Sequence, residues 1–138
     1  MRAHRKIAGS AAAVALAAAG LTVAASPAQA AATAYNGACG SGYKVIDSMS
    51  VNSGSGTVYL TYNNGYNCVV TVNNLGRTAY VDARVEVSGG NWQEDEGRYS
   101  SYAGPVYVYA AGKCIDWGGY VSPASSALTD IRWNDHCG

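Results

Sequence analysis

The chain has 138 residues and no formal net charge, with nine Lys and Arg against nine Asp and Glu. The balance is uneven along it: Arg2, Arg5 and Lys6 stand in the first six residues without an acid, so residues 31–138 carry 6 − 9 = −3. That acidic remainder excludes nucleic acid and anionic membrane as natural partners, since both require clustered cations.

The basic start is followed by an Ala-rich apolar run, Ile7 to Val23, and then by Ser26-Pro27-Ala28-Gln29-Ala30. Small residues at those last positions suit a signal peptidase, which predicts a secretory signal peptide over 1–30. The run is 17 residues, diluted by Gly9, Ser10 and Gly20. It falls short of the ~20 apolar residues that span a bilayer. No lipobox surrounds Cys39, so release rather than anchoring is expected. The remaining 108 residues, 31–138, suffice for a single small domain.

Within 31–138 the apolar stretches are short and rich in Val and Tyr, and helical periodicity is absent, which is a β composition. Tyr43 to Ser48 reads as a first strand. Thr57 to Asn63 and Tyr66 to Asn73 flank Asn64-Gly65, the pair that a type I′ hairpin turn favours. In that register Tyr59, Thr61, Cys68, Val70 and Val72 share one face, and Val58, Leu60, Tyr62, Val69 and Thr71 the other. Two apolar faces predict a central hairpin. Ala79 to Val87 alternates Ala79, Val81, Ala83, Val85 and Val87 with Tyr80, Asp82, Arg84, Glu86 and Ser88, as a strand with one wet face would.

Trp92 to Ser101, with Glu94-Asp95-Glu96, reads as a polar connection. Pro105 to Tyr109 and Lys113 to Trp117 read as a second hairpin about Ala110-Ala111-Gly112, with Pro105 at a strand start. Gly118-Gly119 is expected to break that run, Val121 to Ser126 to form a loop, and Leu128 to Asn134 a last strand. The sum is an all-β fold, a small antiparallel sandwich or barrel of seven or eight strands.

Cys39, Cys68, Cys114 and Cys137 are four thiols in an exported chain, hence two disulfides among three possible connectivities. Local loop closure favours Cys39–Cys68 and Cys114–Cys137. Each would stabilise the fold by roughly 3 kcal/mol. A zinc site built on cysteine is disfavoured, because no Cys-x-x-Cys is present and His136 stands alone beside Cys137. No metal or other cofactor is expected.

Catalytic sets are thin. His136 is the one histidine in 31–138, and it would have to serve any Ser-His-Asp arrangement. Asp47, Asp116, Asp130 and Asp135 could pair across a cleft, but they read first as turn and cap carboxylates at strand ends. Glu94-Asp95-Glu96 lacks the alternating acids of a calcium loop. The aromatics are more telling: eleven Tyr, three Trp and no Phe. Tyrosine offers a flat apolar body with a polar tip, suited to sugar rings or to an adhesive interface. Tyr107 and Tyr109 share a strand face, and with Trp92, Tyr99, Tyr102 and Trp117 they form a candidate exposed patch. The plain alternative is that these rings cover a core short of Leu and Phe.

The stretches Tyr35-Asn36-Gly37-Ala38-Cys39-Gly40-Ser41-Gly42-Tyr43, Gly56-Thr57-Val58-Tyr59-Leu60-Thr61-Tyr62-Asn63, Asn67-Cys68-Val69-Val70-Thr71, Tyr102-Ala103-Gly104-Pro105-Val106-Tyr107-Val108-Tyr109, Cys114-Ile115-Asp116-Trp117-Gly118-Gly119 and Cys137-Gly138 carry a resemblance. They resemble the spore-associated protein A family of filamentous, sporulating actinobacteria. The resemblance implies a small exported protein found with the spore or its aerial hyphae, and bridged cysteines; it supplies no catalytic residue. The expectation is a secreted, non-enzymatic protein of the spore or cell surface, binding polysaccharide or coat proteins through its aromatics. The alternative is a secreted inhibitor of an extracellular hydrolase that presents Trp92 to Tyr99, with Arg98, as its loop.

Overall fold

The computed structural model describes residues 34–138, so the expected signal peptide at 1–30 lies outside the described residues. Eight strands are present among the described residues: β1 (Lys44–Val51), β2 (Gly56–Asn63), β3 (Tyr66–Asn73), β4 (Ala79–Val87), β5 (Gln93–Tyr99), β6 (Tyr102–Tyr109), β7 (Ile115–Ser122) and β8 (Asp130–Asp135). They form two four-stranded antiparallel sheets, β1-β2-β3-β6 and β5-β4-β7-β8. The fold is the expected all-β sandwich.

The β2–β3 hairpin forms in the predicted register, with Asn63 opposite Tyr66, Tyr59 opposite Val70 and Thr61 opposite Cys68. Asn64 and Gly65 both take positive φ, 47° and 88°, as a type I′ turn requires. The hairpin is central in its sheet and both faces are covered. Val58, Leu60 and Val69 enter the core between the sheets, against Val81, Ala83, Val85, Ile115, Trp117 and Val121. Each fully buried Val or Leu there contributes roughly 1.5–3 kcal/mol. The opposite face, Tyr59, Cys68, Val70 and Val72, is roofed by Tyr35, Ala38, Cys39 and Tyr43. The bond from Cys39 to Cys68 holds that roof down, and a second bond joins Cys114 to Cys137.

Five expectations fail for physical reasons. Trp92 to Ser101 is not a connection: Gln93–Tyr99 is a strand paired with β4. It is polar because it is an edge strand, and charge on an edge discourages pairing with another chain. Lys113 to Trp117 does not pair with Pro105 to Tyr109. The turn is present, with the Lys113 amide donating to the Ala110 carbonyl at 3.0 Å, but β6 joins β3 and β7 joins β4, so the chain crosses from one sheet to the other. Pro105 lies inside β6, in an irregularity opposite Val70, a position an edge strand tolerates. Gly118 and Gly119 do not end a strand and sit mid-β7, which continues through Val121 to Ser122. A Cβ at Gly118 would strike the Asp130 carbonyl, and one at Gly119 the Asp82 carbonyl and Thr71 Oγ1. Finally, the polar face of β4 is not wet throughout, because Asp82 and Glu86 are buried.

Candidate functional site

The outer face of the β1-β2-β3-β6 sheet carries tyrosine. Strand register places Tyr66 opposite Tyr109, and Cys68 opposite Tyr107, so both β6 tyrosines share the face of Tyr66. Tyr66 and Tyr109 meet edge to face with centroids 5.1 Å apart, and Tyr43 meets Tyr107 at 5.7 Å. Such geometry places the positive ring edge against the negative ring face. The Tyr107 hydroxyl donates to the Cys39 carbonyl at 3.0 Å, tying the row to the disulfide-bound roof. Tyr66, Tyr107 and Tyr109 are nonetheless exposed, Tyr109 by 59%. Tyr43 has its pKa raised by burial and then by the neighbouring Tyr107 and Tyr66.

The expected six-residue patch is therefore redrawn. Tyr107 and Tyr109 are brought together, and Tyr102, opposite Val72, is exposed farther along β6. Trp117 leaves the patch because it is fully buried in the core. Tyr99 is half-buried against that core, its hydroxyl donating to Asp95 at 2.6 Å. Trp92 lies with the other sheet, against Trp133. Tyr43 and Tyr66 complete the row and were missed. The i, i+2 rule relates residues along one strand, whereas these come from neighbouring segments.

A second group lies along the side of the sandwich where β1 and β8 are the sheet edges. Asp47 Oδ2 is 3.2 Å from Arg132 Nη1 and 2.9 Å from His136 Nε2, and that nitrogen is 3.5 Å from Asp135 Oδ2. Trp117 Nε1 donates to Asp135 Oδ2 at 3.0 Å, and the Ser48 amide donates to Asp47 Oδ1 at 2.7 Å. Burial raises the Asp47 pKa, but the His136 hydrogen bond, the Ser48 amide and the Arg132 charge outweigh it and hold the carboxyl below its ordinary range. His136 also lines a cleft of about 550 Å³ with Ile46, Tyr62, Asn67 and the Ala110–Gly112 turn. Among the described residues, no hydroxyl is hydrogen-bonded to His136, which faces two carboxylates instead.

The third group is on the outer face of the β5-β4-β7-β8 sheet. Arg84 Nε donates to the fully buried Asp82 at 2.7 Å, and its Nη2 lies 3.2 Å from Glu94 and 3.8 Å from Glu96. Burial pushes the Asp82 pKa up more than Arg84 pulls it down. Burial and then Glu96 push that of Tyr120 up to about 12. Arg98, within the Trp92 to Tyr99 loop of the inhibitor reading, lies over the Tyr80 ring at 5.1 Å on a regular strand, so Gln93–Tyr99 is not the loop that reading required.

No family model and no solved structure matches the chain. It is 50% identical over 129 residues to spore-associated protein A of Streptomyces coelicolor, an alignment that covers 87% of this chain and 80% of that protein. With half of its positions shared over most of both lengths, the chain belongs to the spore-associated protein A family.

Proposed function

We propose that the protein is exported and, without catalysing a reaction, coats the spore or hyphal surface by binding wall polymer, spore-surface polymer or coat proteins through its tyrosine face. The observation that carries this reading is the row of exposed Tyr66, Tyr107 and Tyr109 with half-buried Tyr43, fixed by two edge-to-face contacts and a hydroxyl bond to the roof. Rigid rings with polar tips bind at low entropic cost, because few rotamers are left to freeze. The name of the Streptomyces relative associates that protein with spores. Among the described residues His136 is hydrogen-bonded to a carboxylate and to no hydroxyl, which supports a role in which no side chain attacks a substrate.

The test is depletion from solution by purified spores and by isolated wall polymer. The native protein should be retained and the double variant Tyr66→Ala/Tyr109→Ala largely released, with both showing the same circular dichroism. Equal retention of the two, or no retention of the native protein, refutes the tyrosine face as the binding surface.

A further inference from the structure

We propose that Asp47, Asp135 and His136 form a binding site for a divalent transition-metal ion of the zinc class, with a coordination position open to the adjoining cleft. Their donor atoms, one imidazole nitrogen and two carboxylate oxygens, all lie within 4.8 Å of one another. Tetrahedral zinc with bonds of about 2.0–2.2 Å holds neighbouring donors about 3.4 Å apart. The His136 nitrogen is already 2.9 Å from Asp47 and 3.5 Å from Asp135, so closing on an ion requires one edge to open by about half an ångström.

The donor set selects the class of ion. Calcium and magnesium prefer oxygens alone, whereas imidazole suits zinc and its neighbours. The surroundings hold the donors in place: the Ser48 amide donates to the far oxygen of Asp47, and the Trp117 indole donates to Asp135. His136 takes a left-handed backbone, φ 47°, next to Cys137, whose bond to Cys114 anchors it. Arg132, over the Trp117 ring and on Asp47, leaves the three donors and itself with a net charge of −1 when His136 is neutral, which still favours a cation. His136 lines the cleft of about 550 Å³, so a water can complete the coordination from that side. The ion would join β1 of one sheet to the end of β8 in the other.

The experiment is calorimetric titration of EDTA-stripped, disulfide-intact protein with zinc chloride, with cobalt(II) absorption as a second readout. Expected are one ion per chain, the intense visible bands of four-coordinate cobalt, and a thermal midpoint raised by zinc. Asp47→Asn, Asp135→Asn and His136→Gln should each weaken binding by about tenfold or more. Glu94→Gln/Glu96→Gln, at the other carboxylate cluster, should leave it unchanged. The proposal is overturned if no saturable binding occurs at one ion per chain. It is equally overturned if the three variants bind as the native protein does, or if the Glu94/Glu96 variant is the one that loses the metal.

Discussion

Glu86 of β4 stands opposite Asp116 of β7, and both carboxyl groups are buried. Burial and then the proximity of Asp116 push the Glu86 pKa up. Burial opposes ionisation of Asp116 as well, but the Asn134 amide, the Ser88 hydroxyl, the Glu86 carboxyl and the Gly89 amide outweigh it and bring its pKa down. Between the lowered value of Asp116 and the raised value of Glu86 the pair holds one proton, on Glu86.

The sign of the pH dependence follows from these shifts. Glu86 and Asp82 have raised values, so the stability they confer is complete below the ordinary 4.5 and 3.8 and is lost as pH rises through the raised values. Asp47 and Asp116 have lowered values, so theirs is complete above 3.8 and is lost as pH falls through the lowered ones. The thermal midpoint, followed by circular dichroism, should crest on the acid side of neutrality. Glu86→Gln, which keeps a donor toward Asp116, should flatten the decline above the crest and spare the one below it. A crest above neutral pH, or an identical profile for the variant, would contradict the assignment.

Gly118 and Gly119 set how closely β7 approaches its neighbours. The backbone of Asp130 occupies the space of a Cβ at Gly118, and the backbone of Asp82 with Thr71 Oγ1 that of a Cβ at Gly119. Overpacking of this kind costs about 1–3 kcal/mol or more, so each Gly→Ala variant should lose that much stability in urea unfolding, seen as a lower midpoint. Gly112→Ala meets nothing within 4 Å and has only its φ of 71° to oppose it. It should cost about 1 kcal/mol. Equal losses at all three positions would show that backbone conformation, not contact, is what the glycines provide.

Two tryptophans separate core from surface. Trp117 is fully buried beneath Asp135 and Arg132, while Trp133 is 62% exposed. Trp117→Ala should destabilise the domain by about 3–5 kcal/mol and remove the blue-shifted part of the fluorescence emission. Trp133→Ala should do neither, and a comparable loss from the two would sink the distinction.

Much of this fold is legible in local chemistry. Asn64-Gly65 announces its hairpin because both residues must take positive φ, and alternating apolar residues announce β4 because one of its faces meets the core. Partners distant in sequence are not legible in this way. The Ala110–Lys113 turn declares a reversal of the chain, yet nothing in its residues says that β6 returns to β3 while β7 goes to β4. Glu94 and Glu96 read as loop acids because Arg84, which they face across a strand pair, lies ten and twelve positions away. His136 reads as solitary because Asp47 is 89 positions distant. Trp117 is not legible for a related reason: the chain lacks Phe and, among the described residues, Leu60 is the one buried Leu, so an aromatic of ambiguous polarity fills the core's largest volume.

Arg84 holds a fully buried carboxylate. Asp82 is fully buried, and one of its oxygens, Oδ1, has no hydrogen-bond partner, so Arg84 at 2.7 Å from the other is what makes its ionised form tolerable. Arg84→Ala leaves a buried carboxylate beside Glu94 and Glu96 without their shared cation. The expected cost is about 3 kcal/mol at neutral pH. It should shrink as acid protonates Asp82, because a neutral carboxyl needs no counter-ion. The double variant Arg84→Met/Asp82→Asn should recover most of the loss, since breaking a buried pair costs far more than removing both charges. Arg132, 45% exposed on Asp47, provides the contrast. Its replacement by Ala should cost about 1 kcal/mol or less and grow smaller still in salt. Denaturant midpoints at two pH values decide the matter: an Arg84→Ala loss that is small, or that does not diminish in acid, would mean that Asp82 is already protonated in the native domain.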